Sequence, residues 1–543
     1  MPPTHEVFNQ ATPLGDYAAA DDPALVEGLR REGAEWAEPE VREVGDAAGS
    51  ERVRAWGESA NAYPPVLRTH DRYGHRIDEI DYQPAYHVLM DQAVEHGLHA
   101  APWADERPGA HVARAAKFFL WSQAESGHGC PLSMTYAVVP ALRHAPALAE
   151  QYEPLLTSRS YDFGLRAPLG KRGLIAGMSM TEKQGGSDVR ANTTRAVPTS
   201  EGHYLLTGHK WFTSAPMSDF FLTLAQAPEG LSCFLVPQVL PDGSRNALLV
   251  QRLKDKLGNH SNASAELEYD GAVAHLVGEP GRGVPTIIEM VNCTRLDCVI
   301  GSASGMRAAL THALHHAEHR AAFGRTLVDQ PLMRNVLADL ALESEAATTL
   351  MTRLAGAMDR SVRGDEAEMA FRRLGVAVGK FWVTKRQPVH AAEALECLGG
   401  NGYVEESGMP RLFRDSPLNS IWEGSGNVAA LDVLRAMGRN PESLEAFLGE
   451  VGTASGTDDR FDAALKRLHQ TLGDLDEAQY RARSVVELMA LTLQASLLLR
   501  HAPTPVAEAF TRSRLGGEWG GVFGTLPRGV DTALILDRAR PRR

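Results

Sequence analysis

The chain has little cysteine. Five residues in 543 (Cys130, Cys233, Cys293, Cys298, Cys397) are odd in number and never form a CxxC pair. That spacing excludes a disulfide framework and a cysteine zinc site, and it fits thiols kept reduced in a cytoplasm. No apolar run approaches the length of a bilayer crossing. The opening residues, MPPTHEVFNQ, lack the basic-then-apolar layout of a secretory signal. The expectation is a cytoplasmic protein without internal repeats or long low-complexity tracts. Lysine is missing altogether after Ala478, where ten arginines stand against five acidic residues. That end carries +5 in a chain of net charge −13, so the rest carries −18. An arginine-only end on an acidic body suggests a polyanion surface. An ordinary solvated surface with a ragged tail, RARPRR, explains the same count.

What is present is a globular composition, 43% hydrophobic and 23% charged, at a length beyond what one core serves. The periodicity changes twice. Residues 1–171 read as a helical domain, with PALVEGLRREGAEWA and AYHVLMDQAVEHGLH spaced at helical intervals. Residues 172–283 read as a β domain: HYLLTGHKWFTSA, FFLTLAQA, LSCFLVPQ and ASAELEYDGAVAHLVG are short β-rich runs between Gly, Pro and Asp-Gly breaks, the pattern of an antiparallel barrel or sandwich. Residues 284–438 return to long alanine-rich helices. GRNPES and GTASGTDD read as a linker region into a last helical domain, residues 439–543, where RARSVVELMALTLQASLLLR reads as a buried helix. The fold class is mainly α with a middle β domain and an extra C-terminal helical domain. Cys293 and Cys298 read as small buried residues of a helix. His315, His316 and His319 share a helix with no carboxylate at zinc spacing, so they read as surface or interface residues and no metal site is expected.

Five segments carry chemistry. MTEKQGGSD (180–188) sets the hydroxyls of Thr181 and Ser187 around a Gly-Gly turn, whose N–H groups could meet a phosphate or a polar ring. HKWFTS (209–214) lies on a strand, with Trp211 as a flat wall and Thr213 two residues on, facing the same way. HRAAFGRTLVDQP (319–331) places Arg320 and Phe323 three apart on a helix face, a cation and a ring suited to an adenine-diphosphate end. ECLGGNGYVEE (396–406) holds a second glycine turn, outside any Rossmann βαβ context. IWEGSGN (421–427) puts Glu423 in a flexible bend beside Trp422. An exposed turn carboxylate and a general base on a loop beside a cofactor both fit those seven residues.

In this order, the segments resemble the acyl-CoA dehydrogenase family of flavoproteins over about residues 80–438. The resemblance implies an N-terminal helical domain, a β-barrel or sandwich and a four-helix bundle, with FAD as cofactor. By motif match, Met180, Thr181, Gly186 and Ser187 would meet the isoalloxazine edge and pyrophosphate. Trp211, Phe212, Thr213 and Ser214 would line the ring, Thr213 on its N5 side. Arg320 and Phe323 would reach the adenine end of FAD in a neighbouring subunit, which implies an oligomer, in this family usually a tetramer. Gly399, Gly400, Ile421, Trp422, Gly424, Ser425 and Asn427 complete the cofactor set. Glu423 falls on the catalytic base that removes the α-proton of an acyl-CoA thioester. Some members carry the base on a helix reading ERL; here the stretch is TRL, with Thr294 at that position.

The pattern departs from the family at KLGNHSNAS, where His260 replaces an arginine and Ser264 a threonine, at Pro331 in place of a glutamine, and at Glu396. The wording of two motifs and an extra hundred or so residues resemble one branch of the family, DNA-binding flavoproteins of the alkylation-damage response with at most weak dehydrogenase activity. The extra domain would then offer double-stranded DNA a surface with little sequence preference. Arg481, Arg483, Arg500, Arg512, Arg514 and Arg528 are its structured candidates, and 538–543 a loose tail. The alternative is a metabolic short- or branched-chain acyl-CoA dehydrogenase with an unrelated helical appendage.

Overall fold

The computed structural model describes residues 4–474 and 476–542. Two compact units interleave along the chain. One comprises Met1–Glu51, His111–Ala124 and Cys298–Arg543, the other Arg52–Ala110 and Glu125–Asp297.

The second unit is built on a seven-stranded sheet whose path closes on itself. Phe220–Ala227 pairs with Arg195–Pro198, which pairs with Tyr204–Ser214, then Ser264–Val277, then Gly230–Pro237, which returns to Phe220–Ala227. Ala176–Ser179 and Leu248–Leu253 extend it. Closure leaves few open edges, and inward side chains fill the interior. Leu206, Phe221, Phe234, Val250, Leu267 and Tyr269 form that core. The barrel is mixed, because Phe220–Ala227 runs parallel to both Ala176–Ser179 and Arg195–Pro198. The helical reading of the N-terminal region misses a hairpin, Val66–His70 with Arg76–Asp81. Asp71 makes its turn by accepting the N–H groups of Tyr73 and His75 at 2.8 and 2.9 Å. The hairpin lies against the barrel, with Arg76 donating to the Val250 carbonyl at 2.8 Å and Asp78 accepting the Val250 N–H at 3.0 Å.

The first unit is helical. Pro331–Val362 and Glu366–Glu396 are joined by a tight turn in which Gly364 has φ 92° and Asp365 caps the second helix by accepting the Glu368 N–H. Gly426–Arg439 and Ala478–His501 pack on this pair. Ala478–His501 buries Val486, Met489, Leu493 and Leu497. An 18-residue window of it is long and apolar enough to cross a bilayer, which the sequence reading did not register, and 72% of that window is buried inside this fold. It is a core helix. GRNPES is not a linker either: Pro441 opens the helix Pro441–Gly452, which buries Phe447 and Val451.

The C-terminal segment is fastened to the bundle by buried ion pairs. Arg514, fully buried, reaches Asp339 at 2.6 Å and Glu343 at 3.0 Å on the helix Pro331–Val362, and Glu343 also accepts from Arg386 at 3.1 Å. Trp519 covers the guanidinium of Arg514 at 4.5 Å and that of Arg386 at 5.0 Å. Nor is the end a loose tail. Arg538 pairs with Glu27 and Glu345, Arg540 pairs with Glu318, and the Arg542 carbonyl accepts the Ala18 N–H; Arg543 lies outside the described residues. Arg514→Met would strip the buried Asp339 of its cation and leave Glu343 with Arg386 alone. It is expected to cost about 3–5 kcal/mol, read as a lowered denaturation midpoint, whereas Arg540→Met at the surface should cost less than about 1 kcal/mol.

Candidate functional site

In the barrel unit, the loop 180–188 is held by a buried pair. Glu182 and Lys210, both without solvent exposure, meet at 3.0 Å. Glu182 also accepts from the Thr193 and Thr194 N–H groups, the Thr193 hydroxyl and the Gln184 amide. Burial pushes its carboxyl up, but the Lys210 ammonium and these donors more than reverse that and hold it well below the usual range. The loop then folds tightly: a Cβ on Gly186 would lie 2.4 Å from Thr181 Oγ1. Only glycine fits there. Gly185, Gly186 and Ser187 stay exposed at the loop's crest.

The strand Tyr204–Ser214 breaks its own alternation. Lys210 pairs with Leu267 and Thr213 with Ala265, three residues against two, so Trp211 and Phe212 form a bulge opposite Glu266. Thr213 therefore shares the core face with Lys210. It does not face the same way as Trp211, as strict alternation predicts. Its hydroxyl is buried and spent on Ser179 Oγ. The opposite face carries both rings, which flank the same ammonium, Lys254 Nζ, at 3.4 Å from the Trp211 centroid and 4.7 Å from that of Phe212. Lys254 and Arg252 each hold Glu266 at 2.7 Å. Phe212 is 53% exposed, and Ser214, on the same face, reaches Ser264 Oγ at 3.3 Å. The hydroxyl and ring offered outward are those of Ser214 and Phe212. His260 bonds the Lys256 carbonyl at 2.7 Å. Thr294, where some family members carry a base, is buried and turns its hydroxyl to the Val291 carbonyl of its own helix.

In the helical unit, Glu423 sits in the short loop before the helix Gly426–Arg439. Its φ is 58° and that of Gly424 is 100°, two left-handed residues in a row. Trp422 Nε1 donates to Asn419 at 3.0 Å, and Asn419 donates to Ser302 at 3.1 Å. Ile421, Ser425 and Asn427 are exposed around it. Gly399 and Gly400 are exposed with open space where a Cβ would be, so no close neighbour in this chain requires them. RAAFG is not helical. The helix ends at His319, and Ala321–Ala322 with Arg325–Thr326 form a hairpin whose tip is Phe323-Gly324, both at positive φ. Phe323 is 98% exposed, and Arg320 bonds the Asn9 carbonyl. His315 and His316 are buried, His315 against the Thr12 carbonyl at 2.7 Å, because the segment before residue 17 covers their helix.

Most candidate DNA-binding arginines are engaged. Arg481 pairs with Asp474 at 2.7 Å, Arg500 with Glu450 at 2.5 Å and Arg512 with Glu518 at 3.3 Å. Arg514 is buried and leaves the set, since a guanidinium enclosed by two carboxylates has no face for a phosphate. Arg483 and Arg528 are exposed. Charge counting could not see these partners, because they lie up to 175 residues away.

The chain matches the acyl-CoA dehydrogenase middle domain over residues 177–272, the acyl-CoA dehydrogenase C-terminal domain over 281–438, and the adaptive response protein AidB N-terminal domain over 9–163. It is 44% identical to AidB of Escherichia coli K12 over 515 residues, 94% of each chain. It is 31% identical to acyl-CoA dehydrogenase family member 11 of Caenorhabditis elegans over 98% of this chain and 86% of that one. The crystal structure of C. elegans ACDH-11 in complex with C11-CoA superposes with a TM-score of 0.86 at 30% identity, covering 94% of this chain and 93% of that chain. With the glycine loop, the bulged strand and the Glu423 bend in family order, the chain belongs to the acyl-CoA dehydrogenase family of FAD-dependent oxidoreductases.

Proposed function

We propose that this chain oxidises an acyl-CoA thioester, with Glu423 as the base that takes the α-proton. The observation that carries the reading is the Glu423 loop, where one carboxylate is held in a left-handed bend with Trp422 anchored beside it. The residues present fit a flavin: the Gly185-Gly186 crest is exposed and carries no side chain, and the Phe212 ring and Ser214 hydroxyl face outward on the strand whose Trp211 N–H is bonded to the Thr181 carbonyl at 2.8 Å. FAD, when bound, supplies the acceptor for the hydride leaving Cβ. The C11-CoA bound by the C. elegans relative supports an acyl thioester as substrate here.

Glu423→Gln keeps the shape of the base and removes its proton affinity. α-Proton exchange and acyl-CoA oxidation are expected to fall by roughly 10²–10⁴-fold with FAD retained; an unchanged rate would reduce Glu423 to a turn residue. The hydroxyls are separable too. Ser214→Ala is expected to shift the flavin absorbance and lower FAD retention, while Thr213→Val, inside the barrel, should lower thermal stability and leave the flavin spectrum as it was.

A second reading adds DNA, as in the alkylation response. Its support is the arginine-rich end, the likeness to AidB, and the outward placement of Arg483 and Arg528. Binding to double-stranded DNA should weaken with salt at a log–log slope of about −0.9 per phosphate contacted. Arg483→Glu with Arg528→Glu should flatten that slope. Salt-insensitive binding, or none at low salt, returns the chain to purely metabolic chemistry. The exposed Phe323 hairpin supports self-association as part of the same proposal.

A further inference from the structure

We propose that Lys380 is a positioning residue for Glu423, an inference that rests on the role given to Glu423 above. Lys380 lies on the helix Glu366–Glu396 and is among the largest fully buried side chains of the protein. A buried ammonium is costly unless its donors are used. Its Nζ donates to the carbonyl oxygen of Gly424, the residue directly after the base.

The loop is fixed on both sides of Glu423. Upstream, the Ile421 and Trp422 N–H groups return to the Leu418 carbonyl at 2.8 and 3.2 Å, and the Trp422 indole is tied through Asn419 to Ser302. Downstream, Gly426 packs so closely that an added Cβ would lie 2.7 Å from Lys385 Cε, on the same helix as Lys380. Between these anchors, Glu423 and Gly424 take left-handed backbone at φ 58° and 100°. A glutamate does not prefer that conformation, so surrounding contacts must impose it. Lys380 supplies the contact at the second left-handed residue. Holding the Gly424 carbonyl fixes the Gly424–Ser425 peptide, one residue beyond the base, and so restrains the left-handed Glu423-Gly424 bend that directs the Glu423 side chain. General-base catalysis is sensitive to that direction, since a displacement near 1 Å can cost about 10²-fold in rate.

The test compares wild-type holoenzyme with K380M, K380Q and E423Q, measuring α-proton exchange of a C11 acyl-CoA in D2O by NMR, alongside KM, FAD content and thermal midpoint. Lys380→Met keeps the length and removes the donor; Lys380→Gln keeps a donor. The expected result is that K380M holds FAD, keeps KM within about twofold and exchanges roughly 10²-fold more slowly, and that K380Q recovers at least a tenth of the wild-type rate. Wild-type exchange in K380M overturns the proposal, as does equal slowness in K380M and K380Q. Failure of K380M to fold or to hold FAD also overturns it, because Lys380 would then be a fold residue. Wild-type exchange in E423Q instead removes the role of Glu423, and the proposal falls with it.

Discussion

The pair Glu182–Lys210 is what the geometry of the glycine loop and its neighbouring strand depends on. Removing two ions from water is expensive, and their attraction offsets that only when the remaining hydrogen-bonding capacity is also satisfied. Here it is. Glu182 receives five donors, and Lys210 also donates to the Leu224 carbonyl at 2.8 Å on the neighbouring strand. Burial pulls the Lys210 amine down and Glu182 pulls it part of the way back, leaving it at about 8. The carboxylate's direction decides the charge state, and it stays ionised. A carboxyl held below its ordinary range stabilises the fold fully above about pH 4.5, and that contribution is lost only as acid titrates the folded form. The clamp joins the loop to the strand. It therefore sets both the Gly186–Thr181 approach and the strand from which Phe212 and Ser214 project.

The strands were legible because their apolar runs are bounded by turns, and the glycine loop because its spacing is distinctive. The faces were not. Period-two alternation puts Trp211 with Thr213, and one extra residue against Glu266 reverses the assignment. Nothing in HKWFTS marks a bulge. The signal, had it been sought, was Lys210: a lysine destined for the core must find an acid, and MTEKQGGSD holds Glu182 together with the loop to be anchored.

Two functional candidates share one local solution that helix periodicity hides. Phe323-Gly324 and Glu423-Gly424 each put a bulky residue and then a glycine in left-handed backbone. In both, the first residue bears the strain of about 1–2 kcal/mol and the second turns freely. The consequence is projection of a side chain out of the chain's general course, a phenylalanine at a hairpin tip and a carboxylate ahead of a helix. Sequence reasoning found the glycines and the side chains but placed Phe323 on a helix, because the alanine-rich run before it continues the helical pattern up to the break at His319.

The asymmetry of charge along the chain largely cancels in space. Arginines from the last 66 residues meet acids from far earlier: Arg500 with Glu450, Arg514 with Asp339 and Glu343, Arg538 with Glu27 and Glu345, Arg540 with Glu318. An arginine is the suitable residue for this, being always charged and able to satisfy two carboxylates with one fork. Much of the arginine excess is therefore taken up in pairing with acids of the bundle where the C-terminal segment docks. Among the described residues of this end, a polyanion would have to be read by what is left outward, chiefly Arg483, Arg528 and Arg542, and so few residues per chain hold DNA firmly only if several chains align them on one face. The electrostatics thus link any nucleic-acid role to assembly: the same chain as a monomer, with most of its C-terminal arginines satisfied internally and its body acidic, would repel the ligand that its composition suggests.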